Sequence, residues 1–313
     1  MRLAVVGAGG VGGYFGGRLS NAGHEVVVVA RGSHLEAIGE AGLRVRSIFG
    51  DFTAHPPVSD EPADFGPCDA VLFSVKSFDT EQAVGRIAPL IGPDTVVVSL
   101  QNGIDNEEKI AAALGESHVA GGAAFIFSSI VEPGLIAHTG GPARLLFGEM
   151  NGDRTPRIER LLDACRAAGI DSDIPSNIHT VLWTKFAFIC ATAGMTAAVR
   201  LPLGDIRASA DSWAMFRCIL EEVVSVARAE DVPFPDGLVE EQIEFALSLP
   251  TDAYSSLHHD LVEGRRMELD ALHGTLVRRA AKHGIPVPAN EAIFAILRPW
   301  EQRNSDRIGE FGV

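Results

Sequence analysis

Positive charge is what this chain has least of. Its 313 residues carry 26 Lys and Arg against 41 Asp and Glu, a formal net charge of −15 at pH 7. Such a surface repels polyanions, which argues against nucleic acid or an anionic membrane surface as partner. Cysteine is scarce too. Cys68, Cys165, Cys190 and Cys218 are widely spaced and include no C-x-x-C pair, the pattern of reduced thiols and not of a disulfide scaffold or a zinc knuckle. Long apolar runs are missing as well: the uncharged stretch Phe186 to Val199 falls short of a bilayer and reads as a buried helix. No signal peptide is expected, since the first strand is read directly after Met1 and Arg2. There is no internal repeat and no low-complexity segment. A soluble, cytoplasmic protein is expected, and 46% hydrophobic residues suit a well-filled core, in two domains at this length.

What is present is concentrated at the amino terminus. Leu3-Ala4-Val5-Val6 is an apolar run of strand type, and Gly7-Ala8-Gly9-Gly10-Val11-Gly12 follows it in the spacing G-x-G-x-x-G. Chemistry explains that spacing. Gly7 permits a tight strand-to-helix turn, Gly9 lets a pyrophosphate approach the backbone, and Gly12 lets the helix press on the strand. Phosphates then lie at a helix N-terminus, where unpaired N–H groups favour negative charge. Alone the motif is weak, because glycine turns are common; here Glu25 to Ala30 supplies the second strand on schedule. A dinucleotide site is the expectation.

The end of that second strand selects the cofactor. An NAD site usually has Asp or Glu there, bonded to the ribose hydroxyls. This chain reads Ala30-Arg31-Gly32-Ser33-His34. A guanidinium grips a 2′-phosphate that a carboxylate would repel, so Arg31 favours NADP over NAD. An ordinary solvated arginine gives the same letters.

A helix is expected over His34 to Gly42, a hairpin or short strands over Leu43 to Val58, and a strand over Asp69 to Val75 ending at Lys76. A helix from Thr80 to Ile91, a strand from Thr95 to Leu100 and the turn Gln101-Asn102-Gly103 come next. Lys76 and Asn102 thus stand at the carboxyl ends of parallel strands, the edge where such sheets bind ligands. Strands over Val119 to Ser128 and Leu135 to Gly148, a helix over Pro156 to Ala168 and a strand over Ile170 to Ile174 complete an α/β domain, residues 1–176. Residues 177–313 change character, with helices expected over His179 to Ala198, Trp213 to Glu230, Leu238 to Ser248, Arg265 to His283 and Asn290 to Gln302. A frayed polar tail is expected from Arg303 to Val313. An α/β domain followed by an all-helical one predicts a cleft between the two.

In the helical half, Lys185 opens the uncharged run that begins at Phe186. A lysine beside a buried stretch is partly desolvated, which suits it to proton transfer; a lysine snorkelling at a helix edge has the same sequence signature. Adjacent His258 and His259 project from different helix faces with no carboxylate pattern around them, so no metal site is expected. Glu268, three residues after Arg265, reads on spacing alone as a solvated helix charge.

Taken together, the chain resembles the ketopantoate reductases (2-dehydropantoate 2-reductases), NADPH-dependent enzymes of the 6-phosphogluconate dehydrogenase-like superfamily. The residues that carry the resemblance are Gly7 to Gly12, Arg31, Val75-Lys76, Gln101-Asn102-Gly103, Trp183-Thr184-Lys185-Phe186, Ser255-Ser256, Glu268-Leu269-Asp270 and His283 to Pro288. It implies a Rossmann-like domain followed by an all-α domain, and a homodimer serving pantothenate and coenzyme A biosynthesis. It also implies that Lys185 protonates the carbonyl oxygen as hydride arrives, and that Glu268 orients the lysine and binds a substrate hydroxyl. Lys76 and Asn102 would lie near nicotinamide and substrate, and Ser256 would bind the carboxylate. One departure stands out: the family's asparagines one and two turns after the lysine are Ile189 and Ala193 here. Three functions follow: reduction of ketopantoate, the same chemistry on a more apolar carbonyl, or NADP binding for regulation without turnover. A mere binder needs only the glycine turn and Arg31, so the presence of Lys185, Asn102, Ser256 and Glu268 argues against the last.

Overall fold

A computed structural model of the chain describes residues 1–311, with side chains through Asp306. The chain divides into two compact units, one of residues 1–101 and 105–181, the other of residues 102–104 and 182–313.

The first unit is a mixed sheet flanked by helices. It begins with β1 (Arg2–Val6), α1 (Gly10–Asn21), β2 (Glu25–Val29) and α2 (Gly32–Ala41), followed by the short strands β3 (Leu43–Ser47), β4 (Phe52–Ala54) and β5 (Val58–Ser59). Then come β6 (Cys68–Phe73), α3 (Thr80–Val84), β7 (Ile91–Ser99), α4 (Asn106–Leu114), β8 (Val119–Glu132), β9 (Leu135–Glu149), α5 (Pro156–Ala167) and β10 (Asp171–Asp173). The sheet has ten strands in the order β4-β3-β9-β8-β7-β6-β1-β2-β5, with β10 also on β9. Strands β2, β1, β6, β7 and β8 run parallel, and β9 returns antiparallel to β8. Side chains alternate across the sheet. Leu3 and Val5 pack with Phe15 and Leu19 on one face, while Ala4 and Val6 pack with Ile87, Leu90 and Ile110 on the other. Burial on both faces is why these strands are continuous apolar runs.

The second unit is helical: most of α6 (Ile178–Val199), then α7 (Leu203–Ala208), α8 (Ala210–Ala229), α9 (Leu238–Ser248), α10 (Ser256–Val262), α11 (Thr275–His283) and α12 (Pro288–Phe311). Its core joins Phe186, Ala187 and Cys190 of α6 to Phe216, Ile219, Leu220 and Val223 of α8, the last four at the spacing of one helical face. Among the described residues α6 is the one helix long and apolar enough to cross a membrane, but 67% of its apolar window is buried inside the protein. The amino end of α12 is closed by a carboxylate from α8. Glu222 accepts the backbone N–H groups of Ala289 at 2.7 Å and Asn290 at 2.9 Å, and the Asn290 amide at 2.7 Å.

Several elements differ from expectation. Helix α3 stops at Val84, followed by Gly85 and a 3₁₀ turn over Ala88–Leu90, and Ile91 already belongs to β7. The helix expected from Arg265 begins instead with a π turn, Asp270–Gly274, leading into α11. Upstream of it Gly264 adopts φ 68°, and the Asn304 side chain donates to the Arg265 carbonyl at 2.9 Å, so this backbone is satisfied outside a helix. The tail from Arg303 continues α12 to Phe311; Gly312 and Val313 lie outside the described residues.

All four cysteines are free thiols. Cys68, Cys165 and Cys190 are buried, and Cys218 on α8 is exposed. Burial pushes the Cys165 thiol up to about 12 and the Cys190 thiol well above its usual range.

Candidate active site

In the first unit the glycine turn joins β1 to α1. Gly7 has φ +92°, and a Cβ there would lie 2.8 Å from the Val75 nitrogen, so only glycine fits. A Cβ on Gly12 would overlap the Ser74 hydroxyl and the Gly7 carbonyl, and one on Gly10 would overlap the Ser128 carbonyl of β8. Val11 is partly buried against the sheet core. Gly9 is different. It has ordinary extended dihedrals, φ −67° and ψ −167°, and a Cβ there would meet nothing within 4 Å. Neither backbone strain nor packing within the protein requires glycine at that position. The open space over it leaves room for a ligand backed onto the loop, where the pyrophosphate of a dinucleotide would fit.

Two residues brace the loop that sequence reasoning did not single out. The Ser74 hydroxyl donates to the Gly7 carbonyl at 2.7 Å. His34 on α2 donates from Nε2 to the Ala8 carbonyl at 2.8 Å and accepts the Gly134 N–H at Nδ1, 3.0 Å away. Burial lowers the His34 pKa against the smaller opposing effect of its bond to Ala8, which agrees with a neutral ring carrying its proton on Nε2. No spacing rule marks such braces, because their partners are backbone carbonyls remote in sequence.

Arg31, at the end of β2, is exposed and pairs with Asp79 at 2.9 Å. Lys76 is exposed in the turn after β6. Beneath it lies a buried polar network: the Gln101 amide donates to the Val75 carbonyl at 3.0 Å and to the Thr80 hydroxyl at 2.7 Å, and Thr80 donates to the Ser77 carbonyl at 2.9 Å. Glu107 is buried beside it, and burial pushes its carboxyl up to about 7 against the hydrogen bonds that favour its ionised form. The ends of β6 and β7 are thereby tied together.

Residues 102–104 belong to the helical unit. Ile104 packs in that unit's core, and Arg279 donates to its carbonyl at 3.3 Å. Asn102, half-buried, follows β7 in the chain and is grouped with the helical unit.

In the helical unit Lys185 is half-buried on α6, with Ile189 partly buried and Ala193 fully buried along the same helix. Glu268 is buried just before the π turn. Ser255 is the N-cap of α10, accepting from the His258 N–H at 3.1 Å, and its hydroxyl is 2.7 Å from that of Thr196 on α6. Ser256 is the exposed first residue of α10. His258 stacks on Tyr254 with ring centroids 4.2 Å apart. Among the described residues no three His, Cys, Asp or Glu side chains gather as a metal-holding group.

A Rossmann-like glycine turn on a mixed sheet, followed by a helical unit that carries a half-buried lysine, defines a nicotinamide-dinucleotide-dependent oxidoreductase. Two family models match: ketopantoate reductase PanE/ApbA over residues 3–152, and ketopantoate reductase PanE/ApbA C terminal over residues 177–301. The chain belongs to the ketopantoate reductase family. It is 34% identical over 301 residues to an uncharacterised oxidoreductase, YkpB, of Bacillus subtilis, covering 96% of this chain and 99% of that one. It is 29% identical to a 2-dehydropantoate 2-reductase of Mesorhizobium japonicum, covering 95% and 97%. The crystal structure of a PanE/ApbA family ketopantoate reductase from Ralstonia eutropha JMP134 superposes with a TM-score of 0.90 at 34% identity, over 97% of this chain and all of that one.

Proposed function

We propose that the protein reduces a small 2-keto acid to the 2-hydroxy acid with NADPH, and that 2-dehydropantoate is its substrate. The observation that carries the chemistry is Lys185, a cation half-buried beside the apolar core of α6. In this reading the first domain, residues 1–176, holds NADPH through Gly7, Gly9, Gly10, Val11, Gly12 and Arg31, with Lys76 and Asn102 near nicotinamide and substrate. The second, residues 177–313, supplies the acid and the substrate contacts Ile189, Ala193 and Ser256. The nicotinamide, when bound, supplies the hydride. As negative charge builds on the carbonyl oxygen, the Lys185 ammonium donates its proton there, and a positive group at that point lowers the barrier most. Glu268, buried in the same unit, orients the lysine and takes the substrate hydroxyl. Ser256 binds the carboxylate. A place in pantothenate synthesis, a cytoplasmic location and a homodimer rest on family membership.

A second reading is favoured by Ile189 and Ala193: the same hydride chemistry on a keto acid with a more apolar tail. Two amides lost from a pocket wall remove the bonds through which a hydroxylated substrate is told from its analogue. NADPH oxidation followed at 340 nm across a panel of 2-keto acids separates the readings. Highest kcat/KM on 2-dehydropantoate supports the first, a preference for branched or aromatic 2-keto acids supports the second, and no oxidation with any of them removes both.

A further inference from the structure

Helix α6 carries a second row of polar groups beside Lys185. At 100° per residue, Thr192 lies about 20° to one side of Lys185 and Thr196 about 20° to the other, with Ile189 about 40° and Ala193 about 80° round on the Thr196 side. The row ends at α10, where Thr196 meets Ser255 at 2.7 Å and Ser256 follows in the chain.

The two threonines differ in how they are satisfied. Thr196 is fully buried and its hydroxyl donates to the Thr192 carbonyl at 2.7 Å, so the Ser255 hydroxyl must be the donor toward Thr196. Ser255 in turn accepts the His258 N–H, which leaves neither hydroxyl a proton to give. Thr192 is 9% exposed, and its Oγ1 is buried with no hydrogen-bond partner among the described residues. An orphaned hydroxyl destabilises a folded protein, and a mid-helix threonine normally avoids this by bonding to the carbonyl four residues back. This one does not.

Resting on the reductase reading above, we infer that Thr192 is a substrate-binding residue whose hydroxyl donates to the carboxylate of the 2-keto acid. In such an acid the carboxylate carbon is bonded directly to the carbonyl carbon. A molecule whose carbonyl oxygen meets Lys185 therefore has only two directions to fill along α6. Thr192 marks the side for the carboxylate, which it shares with Ser256. Ile189 and Ala193 mark the side for the tail, and the tail they fit is aliphatic. The helix sorts the two ends of the substrate, and on the second reading above the class it selects is a 2-keto acid with a branched apolar tail.

Thr192→Val is the decisive variant, since it replaces the hydroxyl by a methyl of the same shape. Its effects on fold and function should have opposite signs. The melting temperature of the free protein should rise, on the order of 2 °C, because an unsatisfied buried hydroxyl has been removed. KM should rise by about 10- to 100-fold, the worth of a hydrogen bond to a charged group, and equally for 2-dehydropantoate and for 3-methyl-2-oxobutanoate, which lacks its hydroxyl. NADPH affinity by fluorescence should be unchanged, and Thr192→Ser should restore KM. Unchanged KM in Thr192→Val overturns the inference. So does a loss confined to 2-dehydropantoate, which would place the hydroxyl on the tail, and so does a lowered melting temperature, which would show the hydroxyl bonded within the fold. A wild-type protein that oxidises NADPH with no keto acid is a separate outcome and sinks the reductase reading itself.

Discussion

The Arg31 guanidinium donates to the Asp79 carboxylate at 2.9 Å, linking the end of β2 to the turn that follows β6. The pair is largely solvent-exposed on the arginine side, so it adds little stability. Its effect is to hold the guanidinium at the position that a cofactor's ribose 2′-phosphate takes in our reading. Arg31→Ala should weaken NADPH by about 10-fold or more, given 1.5–3 kcal/mol for a hydrogen bond to a charged group, and leave NADH nearly unaffected. Fluorescence titration of both cofactors measures this. Equal losses for both would remove the argument for NADP.

The glycines of the turn should separate into two kinds. Gly12→Ala places a methyl on the Ser74 hydroxyl and the Gly7 carbonyl, and should lower stability by about 1–3 kcal/mol. Gly9→Ala meets nothing in the protein, so its melting temperature without cofactor should match the wild type while its dinucleotide affinity falls. A drop in stability for Gly9→Ala would show that the position is structural.

Lys185→Ala should reduce kcat by about 10²–10⁴-fold, the range for loss of a general acid, with NADPH affinity unchanged. Stopped-flow single turnovers would place the loss in the chemical step. Wild-type rates in that variant would dismiss the lysine as the proton donor.

Glu222 serves the fold. Its two oxygens hold two backbone N–H groups at the start of α12, donors that have no partner within the helix. Glu222→Ala should cost about 2 kcal/mol, read as a lower denaturant midpoint.

His273 gives a pH-dependent signature. It is fully buried in the π turn, where desolvation brings its pKa down to about 4 against the smaller opposing effect of its hydrogen bond to Asn290. Glu222 engages the Asn290 amide nitrogen, so Asn290 Oδ1 faces the ring and Nδ1 donates to it at 2.9 Å. The unfolded chain binds a proton at 6.5 that the folded one refuses until about 4. The stability that neutral His273 contributes is therefore whole above 6.5 and is lost as pH falls through that window, by up to about 1.4 kcal/mol per pH unit. His273→Gln should be less stable than the wild type at pH 7.5, with the gap narrowing toward pH 4. Glu107, raised to about 7, has the opposite sign, so the difference between the two proteins is the quantity to follow.

The first βαβ unit was legible because its signals are local: an apolar run, a turn that needs glycine, and a second run at the right distance. Helix α9 matched its expected bounds, Leu238–Ser248. Elsewhere the deciding partners are distant. The segment from Arg265 has the composition of a helix, but Asn304 satisfies its carbonyl from another element, and no window of sequence contains both. Helix α10 escaped notice because it has only seven residues and is polar. Among the residues proposed for the site, Lys185 could be named because a lone cation beside an apolar run is conspicuous. Thr192 could not. Its significance lies in an absent partner, which is a property of three-dimensional surroundings alone.

The cysteines offer a practical handle. Thiolates and not thiols react with maleimides, and three of the four sulfurs are withheld by burial, leaving Cys218 on α8. A dye added near neutral pH should therefore attach once per chain, on the helical unit of the unmutated protein. Labelled there, the wild type becomes its own reporter for energy transfer from a fluorescent nicotinamide.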